Sequence, residues 1–262
     1  MSNDSYLSPN MAEAVCSIKQ ARKIQGILFD KDGTLIDFNA TWVPVYQRAA
    51  ELLAIRAGKP GQGERLMVAG GYVAGDQSWV PDSLLASGSN EQIFRFWVDQ
   101  LDSPHMLNDP SLRQEYIDVF HLKHSGYAAV LDDLDGFLAS LQARGLKLGV
   151  ATMDDEASAV QTLEKMGCRQ RFDFICGADS GFGVKPEPGM MEAFAQATGL
   201  ELNSTMMVGD SPRDLRMGRN AGSGMTVGVL TGATRAEHLL PFADLIVDDI
   251  SGILDFLGGR LG

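Results

Sequence analysis

The chain between residues 24 and 37 reads IQGILFDKDGTLID, and this stretch decides the fold prediction. An apolar run over residues 24–29 ends at Asp30, and Asp32 and Gly33 follow at once. A short run that is apolar at successive positions is typical of a parallel strand buried on both faces. The two carboxylates therefore follow the carboxyl end of a predicted strand, where open α/β sheets bind ligands.

Further apolar runs predict five more strands, at residues 146–151, 174–176, 205–208, 225–230 and 244–247. Helical patterns precede or separate these runs, at residues 135–144, 156–166, 188–198 and 212–221. Each helical pattern is followed by a glycine, the residue that commonly ends a helix in the left-handed conformation. Strands that alternate with helices predict a doubly wound, Rossmann-like parallel α/β sheet.

One long stretch interrupts this alternation directly after the first strand. It contains helical patterns at residues 41–56, 90–101 and 110–124, joined by a glycine-rich stretch at 58–75 and by residues 77–89. We therefore predict a catalytic core formed by residues 1–36 and 134–262, and a helical cap formed by residues 37–133. We expect Trp42, Trp79 and Trp97 to belong to the apolar core of this cap.

Composition narrows the class of protein. The 262 residues carry a formal net charge of −12, which argues against a nucleic-acid partner. No run approaches the roughly 18 apolar residues of a membrane span, and the N-terminal 23 residues lack the apolar segment of a secretory signal. Three cysteines without a paired spacing favour a reducing compartment. We therefore expect a cytoplasmic enzyme, and the sequence leaves its oligomeric state open.

Four polar segments follow predicted strands. They are Asp30–Thr34, Thr152, Lys185-Pro186 and Gly209–Asp214. A carboxylate at Asp30 can act as a nucleophile and split a hydrolysis into two displacements. A carboxyl group at Asp32 can donate a proton to the leaving group and then accept one from water. Converging carboxylates and a phosphate need positive charge, which Mg²⁺ supplies through oxygen ligands.

These segments, in this order, resemble the motifs of the haloacid dehalogenase-like hydrolase superfamily. Asp30–Leu35 (DKDGTL) is similar to its first motif, Thr152 to its second, Lys185 to its third, and Gly209-Asp210 with Asp214 to its fourth. The inserted helices resemble its C1 cap, and the runs FDKDGTLID and KPEPG resemble its phosphoglycolate-phosphatase-like branch. The resemblance implies a phosphatase that acts on a small phosphorylated metabolite through a phospho-aspartate at Asp30.

The resemblance also implies roles for individual residues. Asp30, the backbone carbonyl of Asp32 and Asp210 are expected to hold Mg²⁺, with support from Asp214 and Ser211. Thr152, Met153 and Lys185 are expected to bind the phosphate. We expect the Lys31 side chain to point away from the site, and the Thr34 hydroxyl to fix the turn or the aspartate pair.

Other functions on this fold remain alternatives at this point. A phosphomutase would return the phosphate to a sugar, and a binding or regulatory module would be catalytically silent. The complete set of motif residues argues against the silent module. A carboxylate at position 32 argues against a dehalogenase, and the absence of an apolar membrane-length run argues against a P-type pump, whose DKTGT motif is similar.

Overall fold

A computed structural model describes residues 24–75, 78–80, 83–120 and 127–258, and the N-terminal 23 residues lie outside these ranges. The described strands are β1 (Gly26–Phe29), β2 (Tyr72–Val73), β3 (Ser78–Trp79), β4 (Lys147–Ala151), β5 (Phe174–Cys176), β6 (Thr205–Gly209), β7 (Met225–Val229) and β8 (Leu245–Val247). Six of them form a parallel sheet in the order β5-β4-β1-β6-β7-β8. The predicted doubly wound α/β sheet is therefore confirmed, with the first strand in its interior.

The core of the sheet explains why these strands read as unbroken apolar runs. Ile27, Leu28 and Phe29 in β1 are fully buried. Ile27 and Phe29 pack into one apolar cluster, whereas Leu28 packs into another on the opposite face. Successive side chains of a strand point to opposite faces, so both faces of the sheet are covered.

Helices cover the sheet and form the insert. Those associated with the sheet are Leu134–Ala143, Glu156–Lys165, Gly189–Thr198, Pro212–Ala221, Ala236–Leu239 and Gly252–Leu257. Those of the insert are Phe38–Arg56, Gly63–Ala69, Leu84–Ser87, Asn90–Gln100 and Pro110–Phe120. Several helices begin or end within a residue or two of the predicted positions. One of them is Pro212–Ala221, which is followed by Gly222 in the left-handed conformation. Two short 3₁₀ turns, Arg169–Arg171 and Leu202–Ser204, precede β5 and β6.

The insert has an apolar core of its own. Its first helix, Phe38–Arg56, is capped by Asp37, whose carboxylate accepts a hydrogen bond from the Ala40 N–H (2.8 Å). Trp79 and Trp97 are buried in this core, as predicted, together with Tyr46 and aromatic residues of the later helices. Trp42 is partly buried and packs against this core, and its indole N–H donates to Asp32.

One prediction for the insert needs correction. Residues 58–75 were expected to be a glycine-rich connection, but they contain the helix Gly63–Ala69 and strand β2, which pairs with β3. The helix predicted over 110–124 is described from Pro110 to Phe120, and residues 121–126 lie outside the described ranges. The domain boundaries at 36/37 and 133/134 stay a prediction.

Two further findings concern the described residues. None of their helices combines the length and the apolar character needed to cross a membrane. Cys168 and Cys176 are buried free thiols, in agreement with the absence of a paired cysteine spacing.

Candidate active site

Three polar side chains meet at one edge of the sheet because their strands are parallel neighbours. Asp30 follows β1, Thr152 follows β4, and Asp210 follows β6. Phe29 of β1 is in register with Val150 of one neighbour and Val208 of the other. The sequence prediction that these segments come together is therefore confirmed by the strand order β4-β1-β6.

Lys185 joins this edge from the loop between β5 and the helix Gly189–Thr198. Its ammonium contacts the Asp30 carboxylate and lies 2.6 Å from Asp214 Oδ1. Burial favours the neutral amine, but the carboxylates of Asp214 and Asp30 outweigh that effect and raise the pKa of Lys185. The residue is therefore a permanently charged contact of the candidate nucleophile.

Three buried carboxylates converge around this lysine. One oxygen from each of Asp30, Asp210 and Asp214 lies within 4.8 Å of the other two. Burial raises the pKa of Asp30 to about 7; the Lys185 charge opposes this, and Asp214 and Asp32 add to it. Burial and the neighbouring Asp30 and Asp214 carboxylates also raise the pKa of Asp210 well above its ordinary value.

This acidic trio is suited to a divalent cation. The raised pKa values of Asp30 and Asp210 show that these buried carboxylates are short of positive charge. Carboxylate oxygens are the ligands that Mg²⁺ takes in proteins. The donor set therefore fits the expected metal. Asp30 and Asp210 were expected as ligands, whereas Asp214 was expected to support them and here contributes an oxygen to the trio itself. The carboxylate of Asp32 is not part of the trio.

Asp214 is held by the start of its own helix. Ser211 caps the helix Pro212–Ala221, and its hydroxyl and backbone N–H donate to Asp214 Oδ2 (2.6 and 3.1 Å). This capping box ties one oxygen of the carboxylate to the helix end and leaves the other for Lys185. The predicted support by Ser211 thus acts through Asp214.

Two glycines make room for the Asp210 carboxylate. A Cβ atom at Gly33, whose φ is +82°, would lie 2.7 Å from Asp210 Oδ2, and one at Gly232 would overlap the same group. The Ala233 N–H donates to Asp210 Oδ2 (3.2 Å), and the Thr231 hydroxyl donates to the Gly33 carbonyl (2.7 Å). Sequence reasoning did not find this loop after β7, since no motif marks it.

Asp32 has its own set of partners. Lys31 is buried, and its ammonium lies 2.7 Å from both Asp32 Oδ2 and Asp154 Oδ2. The expectation that the Lys31 side chain points away from the site is therefore wrong. Its charge can be buried there because two carboxylates compensate it. The Trp42 indole N–H, from the first helix of the insert, donates to Asp32 Oδ1 (3.0 Å).

The remaining candidate residues differ in burial and in hydrogen-bond partners. Thr152 is buried, and its hydroxyl accepts from the Asp154 N–H (3.1 Å), which leaves its own proton available for a phosphate oxygen. The Met153 side chain is exposed, so only its backbone can serve the phosphate. Thr34 is buried, but within the described residues its hydroxyl has no hydrogen-bond partner. Its expected role in fixing the turn or the aspartate pair is therefore wrong.

Comparison with known proteins agrees with this geometry. A family described as "Hydrolase: haloacid dehalogenase-like hydrolase" matches residues 24–222. The chain is 26% identical to an N-acetylmuramic acid 6-phosphate phosphatase of Pseudomonas aeruginosa, over 91% of this chain and 97% of the relative. It is also 26% identical to a phosphoglycolate phosphatase of Yersinia pseudotuberculosis, over 86% of this chain and 93% of the relative.

A solved structure shares the fold across the same length. A putative beta-phosphoglucomutase from Thermotoga maritima superimposes with a TM-score of 0.65 over 90% of this chain and 100% of its own. The two sequences are 20% identical. This likeness therefore concerns the capped α/β architecture alone.

Proposed function

The chain belongs to the haloacid dehalogenase-like hydrolase family and is a phosphoric monoester hydrolase, and from this premise we propose that it cleaves a small organic phosphate through a phospho-aspartate on Asp30. The observation that carries the proposal is the position of Lys185. Its ammonium contacts Asp30 and Asp214, two members of the buried acidic trio. The candidate nucleophile thus contacts a fixed cation and is itself part of a donor set that suits a metal.

In the first step, an Asp30 oxygen attacks phosphorus, and the bond from phosphorus to the ester oxygen breaks. The leaving oxygen takes a proton from Asp32, so an alcohol departs and an acyl phosphate remains on Asp30. Lys185 and the Thr152 hydroxyl are placed to bind the equatorial phosphoryl oxygens, where charge builds up.

In the second step, water attacks the phosphorus of the acyl phosphate. Asp32, now a carboxylate, accepts the proton of that water, and the bond between phosphorus and the Asp30 oxygen breaks. Inorganic phosphate leaves, and both aspartates return to their starting states. One residue therefore serves as acid and then as base.

Asp30, Asp210 and Asp214 would hold Mg²⁺, together with the expected Asp32 carbonyl. Bound there, the ion would supply positive charge to offset the carboxylates and to polarise a phosphoryl oxygen. Ser211 would keep Asp214 in place through the capping box already described.

The cap restricts the substrate in this proposal. The two segments that join it to the core run side by side, since the Asp37 N–H donates to the Ala128 carbonyl (2.8 Å) and the Val130 N–H to the Leu35 carbonyl (3.0 Å). Both connections thus lie next to the catalytic edge. We place the hinges near residues 36–39 and 132–136, and closure would exclude bulk water from the ester.

The names of the relatives favour small substrates. One is described as acting on N-acetylmuramic acid 6-phosphate and another on phosphoglycolate. We therefore propose a phosphoglycolate-like or sugar phosphate as the substrate class. A phosphomutase would keep the phosphate on a sugar, and release of inorganic phosphate separates the two reactions.

The experiment is a panel of small phosphate esters and one phosphoprotein, assayed for inorganic phosphate with Mg²⁺. We expect turnover of small esters, loss of turnover in EDTA, recovery with Mg²⁺, and inhibition by Ca²⁺, whose larger coordination sphere can engage both oxygens of Asp30. Asp30→Asn is expected to lower kcat by at least about 10³-fold while the protein stays folded. Activity in EDTA, or a folded and active Asp30→Asn variant, contradicts the mechanism.

A further inference from the structure

We propose that Lys31 is a positioning residue, which holds the Asp32 carboxylate in the orientation that proton transfer requires. This inference rests on the proposed phosphatase function, in which Asp32 is the acid and base. The resemblance to the family gives the Lys31 side chain no role.

The Lys31 side chain is buried. Lysine side chains are almost never fully buried unless their charge is paired, and this one is 1% exposed. Its ammonium is 2.7 Å from Asp32 Oδ2 and 2.7 Å from Asp154 Oδ2. An apolar side chain could fill the same space without an ion pair. We therefore infer that the buried ammonium serves to hold the carboxylates that it contacts.

The Asp32 carboxylate is anchored at both oxygens. Lys31 occupies the Oδ2 side, and the Trp42 indole N–H donates to Oδ1 (3.0 Å). Rotation of the carboxylate would break both contacts together. A carboxylate has about four lone-pair positions on its two oxygens. The two anchors leave the other positions free to carry the proton for the leaving group and to accept a proton from water.

Asp154, which anchors Lys31, lies in the same loop as Thr152 at the edge of the sheet. The Asp154 N–H donates to the Thr152 hydroxyl (3.1 Å), and its carboxylate holds the Lys31 ammonium. Lys31 therefore ties Asp32 to the loop that carries the expected phosphate ligand. Misplacement of a reacting group by even 1 Å can cost about 10²-fold in rate, which gives this link a kinetic consequence.

The experiment compares kcat/KM of Lys31→Met and wild type on two esters, phenyl phosphate and p-nitrophenyl phosphate. This ratio reports the steps up to loss of the leaving group, and p-nitrophenolate departs without a proton whereas phenolate benefits from one. General acid catalysis contributes roughly 10²–10⁴-fold. We expect a loss of about 10- to 100-fold on phenyl phosphate and of less than about threefold on p-nitrophenyl phosphate, where no proton is needed.

The matched control is Lys147→Met, which removes a lysine paired with Asp173 on the surface. It is expected to leave both values unchanged. If Lys31→Met does not fold, Asp154→Asn removes the anchor of Lys31 at a half-exposed position and should shift the two esters in the same unequal way. Equal losses on the two esters, or no loss, would overturn the proposal. Wild-type protein that cleaves neither ester nor any other ester of the panel would refute the proposed function instead.

A second measurement does not depend on activity. The indole N–H groups of Trp42, Trp79 and Trp97 donate to Asp32, Asn39 and the Leu66 carbonyl. In a ¹H–¹⁵N spectrum of Lys31→Met, the Trp42 indole signal should move while the other two stay. An unchanged Trp42 signal would show that Lys31 does not hold Asp32.

Discussion

Replacement of Lys185 by methionine tests the electrostatics of the site most directly. Methionine keeps most of the length and apolar volume of lysine but removes the ammonium. In the described structure that ammonium is the contact shared by Asp30 and Asp214. The variant thus leaves the three converging carboxylates without their cation.

The magnitude follows from burial. The side chains of Lys185, Asp214 and Asp30 are 2%, 3% and 10% exposed, so solvent screens their interaction little. Loss of one partner from a buried ion pair costs about 3–5 kcal/mol, since the other charge stays buried and uncompensated. Protonation of Asp30 relieves part of this cost, because its pKa is already raised to about 7. The loss in the free energy of unfolding should therefore be larger at pH 8 than at pH 6.

The assay is denaturant unfolding of wild type and Lys185→Met in EDTA, followed by titration with Mg²⁺. We expect the ion to restore part of the lost stability, because it neutralises the same carboxylates. Lys147→Met is the matched control: Lys147 is 49% exposed in its pair with Asp173, and such pairs contribute at most about 1 kcal/mol. A Lys185→Met variant no less stable than this control would refute the reasoning.

Two further predictions concern the same edge of the sheet. Gly232→Ala places a Cβ atom on the Asp210 carboxylate and should lower the Mg²⁺ affinity, measured by calorimetry, by about 10- to 100-fold. In the control Gly75→Ala, the new Cβ atom meets no atom within 4 Å, so the affinity should stay unchanged. Equal affinities of the two variants would rule out the steric argument. The pKa of Asp30 is raised from 3.8 to about 7, so its contribution to stability is present at low pH and is lost as pH rises across that window. Unfolding in EDTA should therefore show lower stability at pH 8 than at pH 5, and the opposite order would contradict the raised pKa.

The sheet could be predicted because local signals and tertiary structure agree there. β5 and the helix Pro212–Ala221 have the predicted bounds. An apolar run buried on both faces has few alternatives to a central parallel strand. A serine, a proline and a glycine at the ends of the helix each satisfy a local backbone requirement. These signals lie within a few residues of the element that they define.

The insert was less predictable because tertiary contacts form its smaller elements. The helix Gly63–Ala69 starts at a glycine and packs against the helix Phe38–Arg56. β2 and β3 are two residues each, too short for a period of two to be recognised. Trp79 is buried among Phe38, Tyr46 and Tyr72, which fixes the hairpin by aromatic packing. Such packing has no signature at residues 58–75 themselves.

The candidate site divides in the same way. The sequence predicts that four residues lie together, because each directly follows a predicted strand or lies in the loop after one. They are Asp30, Thr152, Lys185 and Asp210. The contacts that shape the site join distant parts of the chain: Thr231 donates to the Gly33 carbonyl across 198 residues. A glycine such as Gly232 carries no sign in the sequence that a carboxylate lies against it.

In the proposed mechanism, Asp30 and Asp32, two carboxylates of one short motif, have different chemistry. A nucleophile must be free to approach phosphorus, and Asp30, one of the acidic trio, is held by Lys185 on one oxygen. A group that first donates and then accepts a proton must keep its orientation through both steps, and Asp32 is anchored at both oxygens. The motif supplies the two carboxylates, but their roles depend on partners from other segments. In this proposal, Lys185 distinguishes the nucleophile, and Trp42 together with Lys31 distinguishes the acid and base. The pattern of aspartates alone therefore does not determine the proposed roles.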